Sequence, residues 1–137
     1  MSTWSIGCSE LERFEVTLLS PAAKDEGYDW ISARASVAVG GFRGDASLML
    51  TLTDLIRFQQ ELHSLYRDLK GEAELTTVED QVSLKLSTDG LGNISATGHL
   101  MDQAGVGNRL TFTLNLDQTF LKETISELDT AIENARE

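Results

Sequence analysis

Between Phe42 and Gly71 the sequence reads FRGDASLMLTLTDLIRFQQELHSLYRDLKG, and within this stretch the spacing of apolar residues changes once. Up to Leu52, apolar side chains alternate with polar ones, which is the period of a β-strand with one buried face. From Leu55 onward they recur every three or four residues and fall within about 100° of a helical wheel, as on a helix that lies against a core. The stretch therefore predicts a strand that leads directly into an amphipathic helix.

Both ends of this helix carry residues that are typical of helix termini. Thr53 is predicted to cap the N-terminus, because its hydroxyl can accept a hydrogen bond from a free backbone N–H, and Asp54 favours the positive end of the helix dipole. Lys70 and Gly71 supply a basic last turn and a stop. The predicted apolar stripe consists of Leu55, Phe58, Leu62, Leu65, Tyr66 and Leu69.

Alternating patterns predict six further strands, two before this helix and four after it. The segments are Glu12–Leu19, Tyr28–Val39, Glu72–Val78, Val82–Leu86, Ile94–Leu100 and Leu110–Leu116. From Asp117, a predicted N-cap, the helical period resumes and continues to the C-terminus. The stripe of this last helix consists of Leu121, Ile125, Leu128 and Ile132.

The order βββαββββα and the alternation of the strands decide the predicted architecture. Strands that alternate need only one buried face. We therefore predict one α+β domain over residues 1–137, a two-layer sandwich with one mostly antiparallel sheet of about seven strands and both helices on one face. The other face of the sheet would be solvated or docked, and it would be rich in Ser and Thr: Ser47, Thr51, Ser83, Ser87, Ser95, Thr97, Thr111 and Thr113.

Charge and composition limit the classes of function. The chain has 11 basic and 22 acidic residues, a net charge of −11. Such a surface repels a nucleic-acid backbone, so no nucleic-acid partner is expected. A basic protein partner is electrostatically compatible, although solubility is the more common reason for an acidic surface. With one cysteine, no secretory signal pattern and no long apolar run, the chain is expected in the cytoplasm and away from membranes.

Residues that could carry catalysis are few. The two histidines, His63 and His99, lack a neighbouring nucleophile, although Asp102 lies three residues after His99 and could orient its ring. No metal-binding spacing and no phosphate-binding loop is present, so neither a metal nor another cofactor is predicted. The preferred hypothesis is a non-enzymatic interaction protein. The alternative hypothesis is a small-ligand binding protein or weak enzyme with a pocket near His99.

Two features are candidates for partner binding. Trp30 alternates opposite to Ile31, which places it on the polar sheet face, where it could anchor a partner or a homodimer; alternatively, the segment with Trp4 folds over it. The last helix carries an acidic arc opposite its apolar stripe, which is either a solvated face or a docking strip for a cationic partner. The acidic residues of this arc are Glu123, Glu127, Asp129, Glu133 and Glu137.

Several short segments carry a resemblance to a known family. They are Leu50-Thr51-Leu52, the helix from Asp54 to Gly71, Gly92-Asn93-Ile94, the run from Asn108 to Phe112 and the run from Asp117 to Leu121. Through these segments, the part of the chain from Phe42 onward resembles the WapI-like group of small bacterial proteins, which includes immunity proteins. The positions are mostly packing and capping positions, which argue for a shared fold more than a shared task. The resemblance implies a protein that binds and blocks a toxin domain, for example a nuclease with a cationic cleft, and it assigns no binding residue.

Overall fold

The computed structural model describes residues 1–136, and Glu137 lies outside the described residues. Within them, nine strands and two helices form an α+β fold. The strands are β1 (Ser2–Ser9), β2 (Glu12–Leu18), β3 (Ala23–Asp25), β4 (Tyr28–Val39), β5 (Phe42–Thr51), β6 (Glu72–Thr76), β7 (Val82–Thr88), β8 (Asn93–Met101) and β9 (Arg109–Asp117). The helices are α1 (Leu52–Asp68) and α2 (Gln118–Ala135).

The strands form two antiparallel sheets. In sheet A, β4 pairs with β5 on one side and with β2 and β3 on the other, and β1 pairs with β2. In sheet B, β6 to β9 pair in chain order. The α+β class, the antiparallel pairing and the two helices are confirmed, but the strands divide into two sheets where one was predicted. Alternation shows which side of a strand is buried, and it carries no information about which strands pair.

Two strands of sheet A were not predicted. In β1, Trp4 and Ile6 are buried and face the core, although the segment from Met1 to Glu10 was assigned no element. Strand β3 lies in the predicted loop from Ser20 to Gly27, and all three of its residues are exposed. A short exposed strand has no apolar alternation, so only its pairing with β4 identifies it.

Aromatic side chains join the two sheets and the helices in one core. The rings of Phe14 in sheet A and Phe112 in sheet B are stacked, with centroids 5.8 Å apart. Trp4 lies against both Phe14 and Phe58 of α1, at 5.8 and 5.6 Å. The stripe of α2 is buried in the same core. No helix within residues 1–136 is both long and apolar enough to cross a membrane.

The helix caps agree with the predictions at one helix and differ at the other. Asp117 caps α2, and its side chain accepts the backbone N–H of Thr119. Helix α1 begins two residues earlier than predicted, because Thr51 is the residue whose hydroxyl accepts the N–H of Asp54 at 3.1 Å. This cap explains why Thr51, predicted on the polar sheet face, is buried.

Both helices also bond to the edge of a sheet. Thr124 and Glu127 of α2 bond to the backbone of Ser5 in β1, and Glu61 of α1 accepts the backbone N–H of Glu74 in β6 at 2.8 Å. The outward backbone groups of an edge strand otherwise depend on water or on another chain. The helices therefore complete the sheets as well as cover them.

Strand β8 offers a sharp test of how closely sheet B is packed. A Cβ added at Gly98 would lie 2.0 Å from the backbone oxygen of Ser83, whereas one added at Gly41 meets nothing within 4 Å. We expect Gly98→Ala to lower the free energy of unfolding by about 1–3 kcal/mol, since the strands must separate. Urea unfolding of Gly98→Ala beside Gly41→Ala measures this, and equal stability of the two variants would contradict it.

Candidate partner-binding surface

The acidic residues predicted on α2 fall into two groups. Glu123 and Glu133 are exposed, as expected for the side of a helix that faces away from the core. Glu127 and Asp129 are half-buried, because each bonds to another element of the chain. Two of these acids therefore stabilise the fold through hydrogen bonds, and the other two are available at the surface.

Glu127 holds strand β1 against α2. Its Oε1 accepts the backbone N–H of Ser5 at 3.0 Å and the hydroxyl of Ser5 at 3.3 Å. Thr124, one turn earlier, donates its hydroxyl to the carbonyl oxygen of Ser5 at 2.6 Å. Arg13 of β2 donates to the same Ser5 hydroxyl at 3.1 Å. This network satisfies both backbone groups of Ser5 and fixes the position of Glu127.

Asp129 connects the two helices. Its Oδ1 accepts the side-chain amide of Gln59 at 2.8 Å and lies 3.0 Å from Nε2 of His63, both on α1. His63 is about half exposed, at the rim of the helix stripe where it was predicted. The contact positions α2 relative to α1 and, within residues 1–136, leaves Glu123 and Glu133 as the exposed acids of the predicted strip.

A groove of about 280 Å³ lies between the β1–β2 hairpin and the first half of α2. Glu123 lines it from the helix, and Glu10 lines it from the hairpin turn. Phe120, which is 38% exposed, adds an aromatic ring. The remaining lining consists of Ser5, Cys8, Ser9, Arg13, Thr124 and Glu127.

The sequence predictions missed Glu10 and Phe120 as parts of this groove. Glu10 was visible only as one of several acids near the N-terminus, and Phe120 stands outside the apolar stripe of α2. An aromatic residue outside a helix stripe is a usable signal for a surface contact. The sequence carries no such signal for Glu10, because Glu10 lies near α2 only as a result of the packing of α2 against β1.

Trp30 lies far from the groove. It is half-buried at the start of β4, and its ring packs against Tyr28 with centroids 5.2 Å apart. The groove lies beside the β1–β2 hairpin, level with Ser36 to Val39 of β4, which are six to nine residues from Trp30, or about 20–30 Å along the strand. Trp4 is in the core, so the alternative in which the segment with Trp4 covers Trp30 is wrong. The structure thus places the predicted binding residues in two separate regions.

His99, the centre of the alternative hypothesis, is buried and fully engaged. Its Nε2 lies 3.0 Å from the backbone oxygen of Asp80, and its Nδ1 lies 3.0 Å from the guanidinium of Arg109. A guanidinium only donates, so Nδ1 accepts and Nε2 carries the proton. Asp80 and Arg109, and not Asp102, therefore orient the ring.

Asp102 instead organises the loop between β8 and β9. Its carboxylate accepts the backbone N–H of Asn108 at 2.7 Å and the side-chain amide of Asn108 at 2.9 Å. These bonds, led by the one from the Asn108 side chain, hold the pKa of Asp102 below its ordinary value of 3.8. Asp102 is thus a loop residue. Residues 1–136 contain no cluster of three or more His, Cys, Asp or Glu that could hold a metal ion.

The arrangement is that of a small α+β protein with an open acidic groove. Its sequence matches the model of the immunity protein WapI-like family over residues 6–135, nearly the whole chain, and the protein belongs to this family. No curated protein matches the chain. Among solved structures, that of MRP1/MRP2 from Trypanosoma brucei is similar, with a TM-score of 0.48 and 9% identity over 96% of this chain and 84% of that one.

The bond from Thr124 to Ser5 is testable by removing one hydroxyl. Thr124→Val keeps the shape of the side chain but leaves the half-buried carbonyl of Ser5 without its donor, so we expect the free energy of unfolding to fall by about 1–3 kcal/mol. Thr130→Val is the matched control, because Thr130 is exposed and bonds only within α2. Chemical denaturation of both variants checks this, and a Thr124→Val protein as stable as the control would refute the role.

The lowered pKa of Asp102 predicts a pH-dependent loss of stability. A carboxylate whose folded pKa lies below its unfolded value contributes stability that is complete above about pH 3.8 and is lost as the pH falls through the folded pKa. Asp102→Asn should therefore melt at a lower temperature than the wild type at neutral pH, and the gap should narrow below pH 3.8. Thermal melts across pH test this, with Asp25→Asn, at an exposed site on β3, as control; a constant gap would contradict it.

Proposed function

We propose that this protein is a non-enzymatic immunity protein that binds a basic toxin domain through the acidic groove between the β1–β2 hairpin and α2. Family membership supports an immunity role. The observation that carries the choice of surface is the convergence of Glu10, Glu123 and the exposed ring of Phe120 on one groove. These groups come from two ends of the chain, and the fold brings them together.

The chemistry of the groove suits a cationic side chain. Two carboxylates can form charge-assisted hydrogen bonds with a guanidinium or ammonium group, and an aromatic face attracts the same cation. Arg13 also lines the groove, but its guanidinium bonds to Ser5 at 3.1 Å and lies 4.0 Å from Glu15. We therefore expect a lysine or arginine of the partner between Glu10 and Glu123.

The overall charge supports the same partner. A net charge of −11 accelerates encounter with a basic protein by long-range attraction, and this attraction weakens as salt rises. Masking a cationic active cleft would block a toxin without any reaction. A cytoplasmic location, where such a toxin would act, and a homodimer through Trp30 both stay predictions.

Charge reversal in the groove tests this proposal. We expect Glu10→Lys/Glu123→Lys to weaken binding to the cognate basic toxin domain by about tenfold or more, as an unfavourable charge pair replaces a favourable one. Isothermal titration calorimetry at low and high salt measures the affinity, and growth of cells that produce the toxin domain measures protection.

The control variant is Asp25→Lys/Glu79→Lys, which changes the net charge equally at exposed positions outside the groove. It should bind and protect like the wild type. Equal losses in both double variants would show a general charge effect and refute the groove. Failure of the wild-type protein to protect the cells would refute the immunity role.

A further inference from the structure

Strand β9 is an edge strand whose outer side stays open. The other long edges are each bonded to a side chain of another element: Ser5 of β1 to α2, Glu74 of β6 to α1, and the carbonyl of Ser47 in β5 to Gln81 at 2.9 Å. No backbone group of β9 has such a bond anywhere in the part of the chain that the structure describes. An open edge is a template for a further strand.

The outward backbone groups of β9 belong to alternate residues. The backbone N–H of Asp102 donates to the carbonyl of Asn108, which marks Asn108 as a position that bonds toward β8. Because bonding positions alternate along an antiparallel ladder, the groups that point away from β8 are those of Thr111, Thr113 and Asn115. These three residues leave unpaired donors and acceptors at a regular spacing.

The sequence of β9 also lacks the usual protection of an edge. From Leu110 to Leu116 it contains no charged residue, no proline and no glycine. Natural edge strands commonly carry such residues in order to prevent pairing with other chains. The charged residues stand only at the two ends, Arg109 and Asp117.

One end of sheet A extends past this edge. Sheet A crosses β9 at Gly44, which faces Leu110, and at Phe14, which stacks on Phe112. The side-chain amide of Gln81 donates to the carbonyl of Ser47 in β5 and to the carbonyl of Met101 in β8. Along β5, strand β8 therefore lies near Ser47, and β9 lies near Gly44. The next row of residues in sheet A on the same face, further from Ser47 than Gly44 is, therefore projects beyond β9. They are Glu12, Val39 and Phe42, and Phe42 is 70% exposed.

We propose that the slot between the β9 edge and this projecting row accepts one extended segment of a partner polypeptide, as an added strand of sheet B. Val39 and Phe42 of this row supply an apolar cover for alternate side chains of the segment, and the edge supplies hydrogen bonds. A second copy of this protein does not fit through its own β9, because its sheet A would project into the same space.

The charges at the two ends of the slot define the segment further. Asp117 stands at the end of the β9 edge nearer α2, and Arg109 stands at the other end, beside Arg43 of β5. The fitting segment has a basic residue opposite Asp117, an acidic residue opposite Arg109, and alternating apolar and polar residues between them. The acidic groove adjoins the Asp117 end of this edge, so one partner could contact both. The inference therefore extends the proposed function and rests on it for the identity of the partner.

The test uses a synthetic peptide, so it needs no toxin. The probe is acetyl-Lys-Val-Thr-Val-Thr-Val-Thr-Val-Glu-amide, with the valines N-methylated so that it cannot pair with itself. At saturating peptide, the amide protons of Thr111, Thr113 and Asn115 should exchange at least about tenfold more slowly by NMR, since they become hydrogen-bonded. The peptide with Lys and Glu interchanged should bind about tenfold more weakly.

Three variants locate the binding on the protein. Thr113→Pro removes one outward N–H without breaking a bond to β8 and should abolish binding, whereas Thr113→Val keeps the N–H and should bind like the wild type. Phe42→Ser removes apolar cover at an exposed position, so it remains folded and should weaken binding even if the proline variant does not fold.

The outcomes separate this inference from the proposed function. Absence of peptide binding, or binding without slower exchange at Thr111, Thr113 and Asn115, overturns the strand-addition site even if the protein neutralises the toxin. Peptide binding with the expected pattern supports the site even if no toxin is neutralised, and in that case the immunity role fails alone.

Discussion

The stacking of Phe14 on Phe112 is the contact on which the rest of the structure depends. Each sheet has one apolar face, and neither face can be buried unless the two sheets lie against each other. These two rings, with centroids 5.8 Å apart, set the point at which the two sheets cross. Trp4 extends the same aromatic cluster to Phe58 of α1. The crossing also decides which strand edges are covered and which remain accessible, so the core determines the binding surfaces.

The helices act on the sheets in two ways. Their stripes fill the core, and their polar side chains bond to the backbone of edge strands, as Thr124 and Glu127 do at Ser5. An unpaired backbone group away from water costs free energy, so these bonds matter for folding as well as for protection against aggregation. The same bonds bring α2 beside the β1–β2 hairpin. The acidic groove is a consequence of that contact.

The candidate site could be predicted only in part. The helical period of the last segment correctly placed Glu123 and Glu133 on an exposed face. It could not show that Glu127 would bond to Ser5, 122 residues away in the chain, or that Asp129 would bond to α1. A periodic pattern reports on one element at a time. The groove is a contact between elements, so Glu10 became part of the site only through the fold.

The sequence by itself determined the faces of the elements. Alternation identified the buried side of β2, β4, β5, β7, β8 and β9, and the period of 3.6 identified both helices and the cap at Asp117. Only the tertiary structure decided that the strands form two sheets, that Thr51 and not Thr53 caps α1, and that β9 keeps an open edge. The physical reason is that burial of a side chain is a local property with a period, whereas strand pairing and edge exposure depend on hydrogen bonds between segments far apart in the chain.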